Sequence, residues 1–265
     1  WTLLLLLVLY TSPFFHRKIL FEGLILLLLL SPLNHPFSHV SFLDVGQGDS
    51  AMIRNRIGYS CILIDTGSGY NYAKLKKYLF SQGIYTIDYL IITHDDADHN
   101  GNIGNLKKDF QVKEVIEKGR DISYEGLILR YYDLGVFDND NDNSLVYSLN
   151  MDKTEFLFTG DISVTAENLF VQKYGPIDID VLKVAHHGSD TSSGAYFIGS
   201  VRPEYAVIST SGQYGHPKRS VLETLKKYRV CYFNTRYSGT VSFYFLRNLS
   251  FIQTGNNEFV IIKAK

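Results

Sequence analysis

The chain has 265 residues, 45% of them hydrophobic, with 26 lysines and arginines against 27 aspartates and glutamates. A formal net charge of −1 provides no basic surface, which excludes strong non-specific binding of nucleic acid by the whole protein. Two cysteines, Cys61 and Cys231, are too few for a disulfide scaffold, so stability must come from a hydrophobic core.

The first 33 residues contain two leucine-rich runs, at residues 1–9 and 19–33, separated by the basic segment His16, Arg17 and Lys18. A signal peptide is one interpretation, because a basic segment precedes an apolar stretch of suitable length. An apolar run already precedes that segment, however, and no small-residue cleavage site follows. We therefore favour the end of a transmembrane region at residues 1–33, followed by a linker at residues 34–39.

The basic segment also predicts an orientation. Positive charge between two spans favours the cytoplasm, so the domain after residue 39 is expected outside the membrane. Because the chain begins with Trp1 rather than methionine, we expect it to be the end of a larger membrane protein.

Residues 40–265 alternate between strand and helix patterns, which predicts an α/β domain. The predicted helices cover residues 72–81, 103–108, 164–174 and 217–228. The predicted strands cover residues 40–45, 50–54, 61–65, 88–92, 155–159, 179–185, 205–210, 231–233, 240–246 and 259–263. Short strands and loops are expected between residues 113 and 149.

Acidic or histidine residues follow several of these strands, and glycine lies close by in each case. They are Asp65, His94, Asp161, His187 and His216. If the strand ends meet at one edge of packed sheets, these side chains form a site on a rigid scaffold.

The densest motif is His94-x-Asp96-x-Asp98-His99, which follows an apolar strand and precedes an Asn-Gly turn. Imidazole nitrogens and carboxylate oxygens suit Zn²⁺, Mn²⁺ or iron. The alternative is an acidic surface loop. The histidines argue against it, because the five that follow residue 40 all lie in glycine- or aspartate-rich motifs. They are His94, His99, His186, His187 and His216.

Taken together, the motifs resemble those of the metallo-β-lactamase superfamily. They occur in its order, as Asp65-x-Gly67, Thr93–His99, Thr159-Gly160-Asp161 and His186-His187-Gly188-Ser189. Residues 42–50 and the segment Gly215-His216-Pro217 further resemble the C-terminal domain of the ComEC family, the membrane DNA channels of natural competence. The resemblance implies a four-layer αββα sandwich and a hydrolase with two divalent metal ions, Mn²⁺ or Zn²⁺.

The sequence departs from the wider superfamily in two places. Asp96 stands where many members have a second histidine, and no histidine occurs between His99 and His186. Asn143 or Asp142 is expected to replace the missing ligand. The larger share of oxygen ligands favours Mn²⁺.

The resemblance and the chemistry of the side chains together assign metal-binding roles. His94 and Asp96 are assigned to one ion; Asp98, His99 and His187 are assigned to the other. Asp161 is expected to bridge the two and to act in catalysis, since a carboxylate offers two oxygens. Asp65 and Asn143 are expected to orient the ligands, although a turn-capping role for Asp65 is the alternative.

The remaining assignments concern the substrate. We favour His187 over its neighbour His186 as the ligand, because adjacent residues point apart. His186 then faces the substrate or the core, and it is a candidate catalytic residue. His216 is a candidate phosphate-binding or proton-donating group; a structural histidine before Pro217 is nearly as good an explanation. Ser189 and Lys218 are candidate substrate contacts. A phosphate contact for Lys183 is a weaker expectation, and Asp49 is expected to shape a turn.

These expectations predict a metal-dependent phosphodiesterase or nuclease of a DNA-uptake membrane protein, which degrades the strand that is not imported. The expected partners are DNA, preferably single-stranded, the membrane and the rest of the channel. Two alternatives are a hydrolase of a small or surface-linked phosphodiester and an inactive module that guides DNA. A thioester or lactam hydrolase is disfavoured by Asp96 and the missing histidine.

Overall fold

The computed structural model describes residues 18–19, 21–23, 37–55, 60–246 and 249–262. Most of the predicted membrane segment at residues 1–33, and the first part of the predicted linker, lie outside these ranges. Within them, no helix has both the length and the apolar character needed to cross a membrane. The membrane segment is therefore not seen, and it stays a prediction from the sequence.

Fifteen strands and seven α-helices occur in the described residues. The strands are β1 (Ser38–Phe42), β2 (Ala51–Arg54), β3 (Ser60–Ile64), β4 (Thr86–Ile91), β5 (Gln111–Ile116), β6 (Ile122–Tyr124), β7 (Leu127–Tyr132), β8 (Val146–Met151), β9 (Thr154–Phe158), β10 (Val181–Lys183), β11 (Tyr205–Ile208), β12 (Cys231–Asn234), β13 (Val241–Leu246), β14 (Leu249–Thr254) and β15 (Phe259–Ile262). The helices are α1 (Tyr72–Ser81), α2 (Ala97–Asn100), α3 (Ile103–Asp109), α4 (Val164–Tyr174), α5 (Ala195–Val201), α6 (Arg219–Lys227) and α7 (Thr235–Ser238).

The strands form two sheets. The first has the order β15-β14-β13-β1-β2-β3-β4-β5, and the second has the order β12-β11-β10-β9-β8-β7-β6. In the first sheet β3, β4 and β5 run parallel, and in the second sheet β9 to β12 do so. Parallel strands end at the same edge of a sheet, which brings the loops after β3, β4, β9, β10 and β11 together.

Three apolar clusters separate the layers. One lies between the sheets and includes Phe42, Phe156 and Phe243. A second packs the helices α4, α5 and α6 on the second sheet, and a third packs α1 and α3 on the first. Because each sheet is covered on both faces, the chain adopts the predicted αββα sandwich.

Comparison of the predicted and observed elements shows agreement in the long helices and small shifts elsewhere. Helices α1 and α4 have the predicted bounds, whereas α6 begins at Arg219 instead of Pro217. Strand β14 was not predicted; it pairs antiparallel with β13, and its side chains alternate between buried and more exposed positions. Strand β1 begins at Ser38, two residues before the predicted domain start, and buries His39.

Candidate metal centre

His99, in the short helix α2, is held by Asp65 at the end of β3. Nδ1 of His99 lies 2.8 Å from Oδ2 of Asp65, and both side chains are buried. Thr93 donates its backbone N–H to Oδ1 of Asp65 at 2.8 Å and its hydroxyl to Oδ2 at 2.7 Å. Because Nδ1 of His99 donates to a carboxylate, its Nε2 is left to face the centre of the cluster.

His94 is oriented by two hydroxyl groups. Its Nδ1 lies 3.2 Å from Oγ1 of Thr93 and 3.3 Å from Oγ of Ser144. Each hydroxyl already donates its single proton, Thr93 to Asp65 and Ser144 to the carbonyl of Asn141. Both oxygens therefore accept from Nδ1, and Nε2 of His94 carries a free lone pair. Burial and then the charge of His99 lower the pKa of His94, which favours this neutral form.

Asp161, in the loop after β9, lies between two other predicted ligands. Its Oδ2 is 3.4 Å from Nε2 of His99 and 3.5 Å from Nε2 of His187. Burial alone would raise the pKa of Asp161, but the charges of His187 and His99 outweigh it and hold the pKa well below its ordinary value. The carboxylate is thus kept ionised while it is buried.

His187 connects this cluster to the second sheet. Nδ1 of His187 donates to the carbonyl of Ser209 at 2.9 Å, and Nε2 lies 3.1 Å from Oδ2 of Asp98. Burial would lower the pKa of His187, but the carboxylates of Asp161 and Asp49 prevail and raise it to about 10. A metal ion that binds here must displace that proton, so metal affinity depends on pH.

His186 and His187 both adopt left-handed backbone conformations, with φ of +49° and +54°. This turn sends the two rings in different directions. His187 enters the cluster, whereas Nε2 of His186 remains 4.0 Å from Oδ2 of Asp161 and its ring is partly exposed. His187 thus lies among the predicted ligands and His186 lies at their edge, while their roles as ligand and substrate-facing histidine stay predictions.

The donor atoms fit divalent metal ions. Nε2 of His94, Nε2 of His99 and Oδ1 of Asp161 are buried without a hydrogen-bond partner among the residues described. Such atoms are costly to bury unless a cation or another donor satisfies them. In each of four sets, the ligand atoms lie within 4.8 Å of one another: His94, His99 and Asp161; Asp98, His99 and His187; Asp49, Asp161 and His187; Asp49, Asp65 and His99. Nitrogen and oxygen donors in this mixture suit Zn²⁺ or Mn²⁺.

Asp96 lies at the outer side of the cluster. Its carboxylate is exposed, and its Oδ2 lies 3.4 Å from Nε2 of His94. It can therefore reach an ion held by His94, although it belongs to none of the four sets.

The structure corrects the expectation for Asn143 and Asp142. The amide of Asn143 exchanges hydrogen bonds with the backbone of Phe137 and donates to the carbonyl of Asn139. Asp142 accepts from the backbone and hydroxyl of Ser163, at the start of α4. Their neighbour Ser144 faces the centre instead, because it follows the turn that reverses the chain into β8.

Three more residues were expected to contact phosphate or substrate. Lys183 is buried and forms an ion pair with Asp49 beneath His187, so it does not face a phosphate. Lys218 donates its Nζ to the carbonyl of Tyr214 at 2.8 Å. Ser189 is buried, and its hydroxyl lies 2.9 Å from that of Thr191.

An open cleft of about 430 Å³ gives access to the cluster. His216 lines this cleft with its ring centre 6.0 Å from that of His186. Asp98, Asp161, His186 and His187 form part of the same lining. The predicted ligands are therefore accessible to solvent on the side of the cluster that His186 and His216 line.

Sequence reasoning missed the hydroxyl of Ser144 and the pairing of Asp49 with Lys183. Serine at a loop position carries no distinctive signal, and the ion pair joins segments that are distant in the sequence. Thr93 had a signal, since it directly precedes His94 in the metal motif.

Part of the chain matches a known protein family. Residues 43–142 match the model of the metallo-β-lactamase superfamily. This chain carries a metallo-β-lactamase superfamily domain. The match spans Asp65 and the complete motif from His94 to His99, which are the residues gathered at the centre.

The chain is also similar to competence and recombination proteins over most of its length. Recombination protein 2 of Haemophilus influenzae is 35% identical over 89% of this chain, and ComE operon protein 3 of Bacillus subtilis is 29% identical over 82%. The chain spans about a third of each of these relatives, 33% and 34% of their lengths.

A crystal structure of a diphosphatase from the PhnP family aligns with 78% of this chain and 98% of its own. The sequence identity is 13% and the TM-score is 0.47, a likeness too slight to argue from.

Proposed function

We propose that the domain is a metal-dependent phosphodiesterase that cleaves DNA, as part of a ComEC-like DNA-uptake protein. The observation that carries the proposal is the position of Asp161. Its Oδ2 lies within 3.5 Å of Nε2 atoms of two histidines, His99 and His187, and its Oδ1 has no hydrogen-bond partner among the described residues. A carboxylate so placed has both oxygens available to two neighbouring ions.

His94, Asp96 and Asp161 would hold one ion, and Asp98, His99, His187 and Asp161 would hold the other. Two divalent ions held there would supply the positive charge that activates a water molecule and stabilises a phosphoryl oxygen. The chain contributes the preorganisation: Asp65 fixes His99, two hydroxyls fix His94, and the carbonyl of Ser209 fixes His187.

His216 and His186 stand at the cleft and not among the tight ligand sets. Burial and then the charge of His187 lower the pKa of His216. We assign His216 to a hydrogen bond with the diester or its leaving oxygen, and His186 to a second contact from the same wall of the cleft.

DNA is the proposed diester because the relatives named above are a recombination protein and the product of a ComE operon. By analogy with the ComEC family, we propose that the domain acts outside the membrane on the strand that is not imported. The remainder of the channel and the membrane are then its neighbours. Protease added to intact cells should cleave the domain. Protection of the domain until the cells are lysed would indicate the opposite orientation.

The reaction is tested with labelled single-stranded DNA, duplex DNA and a small diester, bis(p-nitrophenyl) phosphate. Each is incubated with Mn²⁺, Zn²⁺ or a chelator. We expect DNA cleavage with a divalent ion and none with the chelator. His94→Ala, Asp98→Ala and Asp161→Ala should each lower the rate by orders of magnitude, and Asp161→Ala should lose most of the bound metal.

Asp95→Ala is the matched control, because Asp95 lies in the same loop with an exposed side chain outside the ligand sets. It should retain metal and activity. His216→Ala should slow turnover while the metal content stays unchanged.

Cleavage of the small diester without action on DNA would favour the alternative of a small or surface-linked substrate. Full metal occupancy without cleavage of any substrate would favour a module that guides DNA. Undiminished metal content in Asp161→Ala would contradict the bridging role.

A further inference from the structure

Two exposed tyrosines stand at the cleft. The side chain of Tyr70 is fully exposed, at 100%, and that of Tyr214 is 70% exposed. Both line the cleft that leads to the metal centre. Two exposed aromatic rings on one cleft offer flat faces on which a planar group of a ligand can stack.

The two rings come from opposite sheets. Tyr70 lies in the turn Gly69–Asn71, which follows β3 of the first sheet. Tyr214 lies in the turn Gln213–Gly215, which follows β11 of the second sheet. Since the metal centre lies where these sheet edges meet, each tyrosine belongs to a different wall of the cleft.

The turn that carries Tyr214 is held in a strained conformation. Tyr214 has a φ of +58°, in the left-handed region that non-glycine residues rarely adopt. Lys218 donates its Nζ to the carbonyl of Tyr214 at 2.8 Å, and His216 donates its N–H to the carbonyl of Gln213 at 3.1 Å. Strain that persists beside a site is a reason to look for a function in the side chain it presents.

The turn that carries Tyr70 is also anchored. Asn102 donates its side-chain N–H to the carbonyl of Ser68 at 2.8 Å, and Asn71 donates its backbone N–H to the same carbonyl at 3.1 Å. Asn102 directly precedes α3 and is fully buried. The backbone under Tyr70 is thus tied to the segment that contains the metal motif, while the ring itself stays free.

The negative charge of the cleft lining restricts how the cleft can hold a nucleic acid. Among the described residues that line the cleft, three are aspartates, Asp96, Asp98 and Asp161, and none is lysine or arginine. Bound ions can offset this negative charge for one phosphate. The adjoining nucleotides must then be held by uncharged surface, and aromatic rings stack on bases of any sequence.

We propose that Tyr70 and Tyr214 stack on the nucleobases that flank the scissile phosphate and so select unpaired DNA. In a duplex the bases are already stacked on one another, so their faces are not available to the tyrosines. This inference rests on the proposed phosphodiesterase function and specifies its substrate as single-stranded DNA.

The test uses the full chain with Mn²⁺ and compares Tyr70→Ala and Tyr214→Ala with the corresponding Phe and Trp variants. The substrates are a short labelled single-stranded oligonucleotide and an abasic oligonucleotide of the same length. Each Ala variant should raise the KM for the first substrate by roughly tenfold, the range for one lost stack. The Phe and Trp variants should retain the wild-type KM, and the abasic substrate should not distinguish any of them.

Tyr85→Ala is the matched control. Tyr85 is also an exposed tyrosine, but it precedes β4 and therefore lies at the opposite edge of the sheet from His94. The control should leave the KM unchanged.

Unchanged KM values in both Ala variants, or equal weakening on the abasic substrate, would overturn the stacking while the phosphodiesterase stands. If the wild-type chain binds the oligonucleotide but cleaves nothing, fluorescence anisotropy gives the Kd of each variant for the normal and the abasic oligonucleotide instead of the KM. A Kd that depends on both bases and tyrosines would support stacking and refute hydrolysis. A Kd independent of them would overturn the stacking, and a chain that neither binds nor cleaves would refute both proposals.

Discussion

Oδ2 of Asp65 lies 2.8 Å from Nδ1 of His99, and both groups are buried at the end of parallel strands β3 and β4. The same carboxylate accepts two hydrogen bonds from Thr93. One residue thus sets the direction of a proposed ligand and ties it to the backbone of the neighbouring strand.

Asp65→Asn is expected to weaken metal binding by about 10- to 100-fold, the usual effect of losing a hydrogen bond to a ligand histidine. An asparagine has one acceptor oxygen, so it cannot serve both Nδ1 of His99 and the backbone N–H of Thr93. Calorimetric titration with Mn²⁺ and Zn²⁺ measures the change. Asp44→Asn, at a half-exposed carboxylate that pairs with Lys74, is the control and should bind metal normally. Equal affinity in the two variants would contradict the orienting role.

Gly48→Ala is expected to disturb the metal centre although Gly48 is not a ligand, because Gly48 packs against the backbone of Asp98. Gly48 has a φ of +119°, and an added Cβ would lie 2.2 Å from the carbonyl oxygen of Asp98. The segment with Asp98 must then move, so both metal affinity and stability should fall, the latter by at least about 1 kcal/mol. Gly104→Ala in α3 is the contrasting case, since its Cβ would meet no atom within 4 Å. It should gain roughly 0.5–1 kcal/mol and leave metal binding intact. A Gly48→Ala protein with normal metal affinity would show that the two loops do not constrain each other.

Lys183→Met is expected to destabilise the fold, because it removes the closer of two cationic partners from the buried carboxylate of Asp49 and leaves it with His187, 3.4 Å away. Breaking one side of a buried pair typically costs about 3–5 kcal/mol. The double variant Asp49→Asn with Lys183→Met removes the buried negative charge as well and should recover a large part of the loss. Denaturant unfolding of the three proteins in chelator gives the comparison. If Lys183→Met kept full stability and lost only activity, Lys183 would instead contact the substrate.

Glu167 in α4 predicts a pH dependence of stability. Its buried carboxylate accepts from the N–H groups of Ser193 and Gly194, at 2.6 and 2.8 Å. Burial raises its pKa to about 7 against the opposing effect of these two donors. The folded state therefore binds a proton more tightly than the unfolded state, whose pKa is near 4.5. Stability from this group is complete below pH 4.5 and is lost as the pH rises towards 7.

Glu167→Gln should remove this slope, which amounts to roughly 3 kcal/mol as an order of magnitude. The variant is expected to be less stable at low pH, because an amide leaves one of the two N–H groups without an acceptor. The difference in free energy of unfolding between wild type and variant, measured in chelator from pH 4.5 to 8, isolates this group. Glu223→Gln on the exposed face of α6 is the control. A constant difference across this range would contradict the raised pKa.

Much of the metal centre could be predicted from the sequence because its ligands occur in local motifs. The spacing from His94 to His99 fixes several donors within one loop, whatever the rest of the chain does. Asp65, Asp161 and His187 each follow an apolar strand, and parallel strands end at a common edge. That rule, with the resemblance to the metallo-β-lactamase superfamily, was sufficient to predict the αββα sandwich.

Tertiary structure decided the contacts that depend on how one segment meets another. Asn143 and Ser144 are neighbours with similar polarity, and only the turn into β8 determines that Ser144 contacts His94. The pairing of Asp49 with Lys183 joins the two sheets, and the strained turn at Tyr214 accepts a hydrogen bond from Lys218. The register and packing of distant segments set these relationships, and a local sequence pattern does not encode them because the interaction energy arises only when both partners are in place.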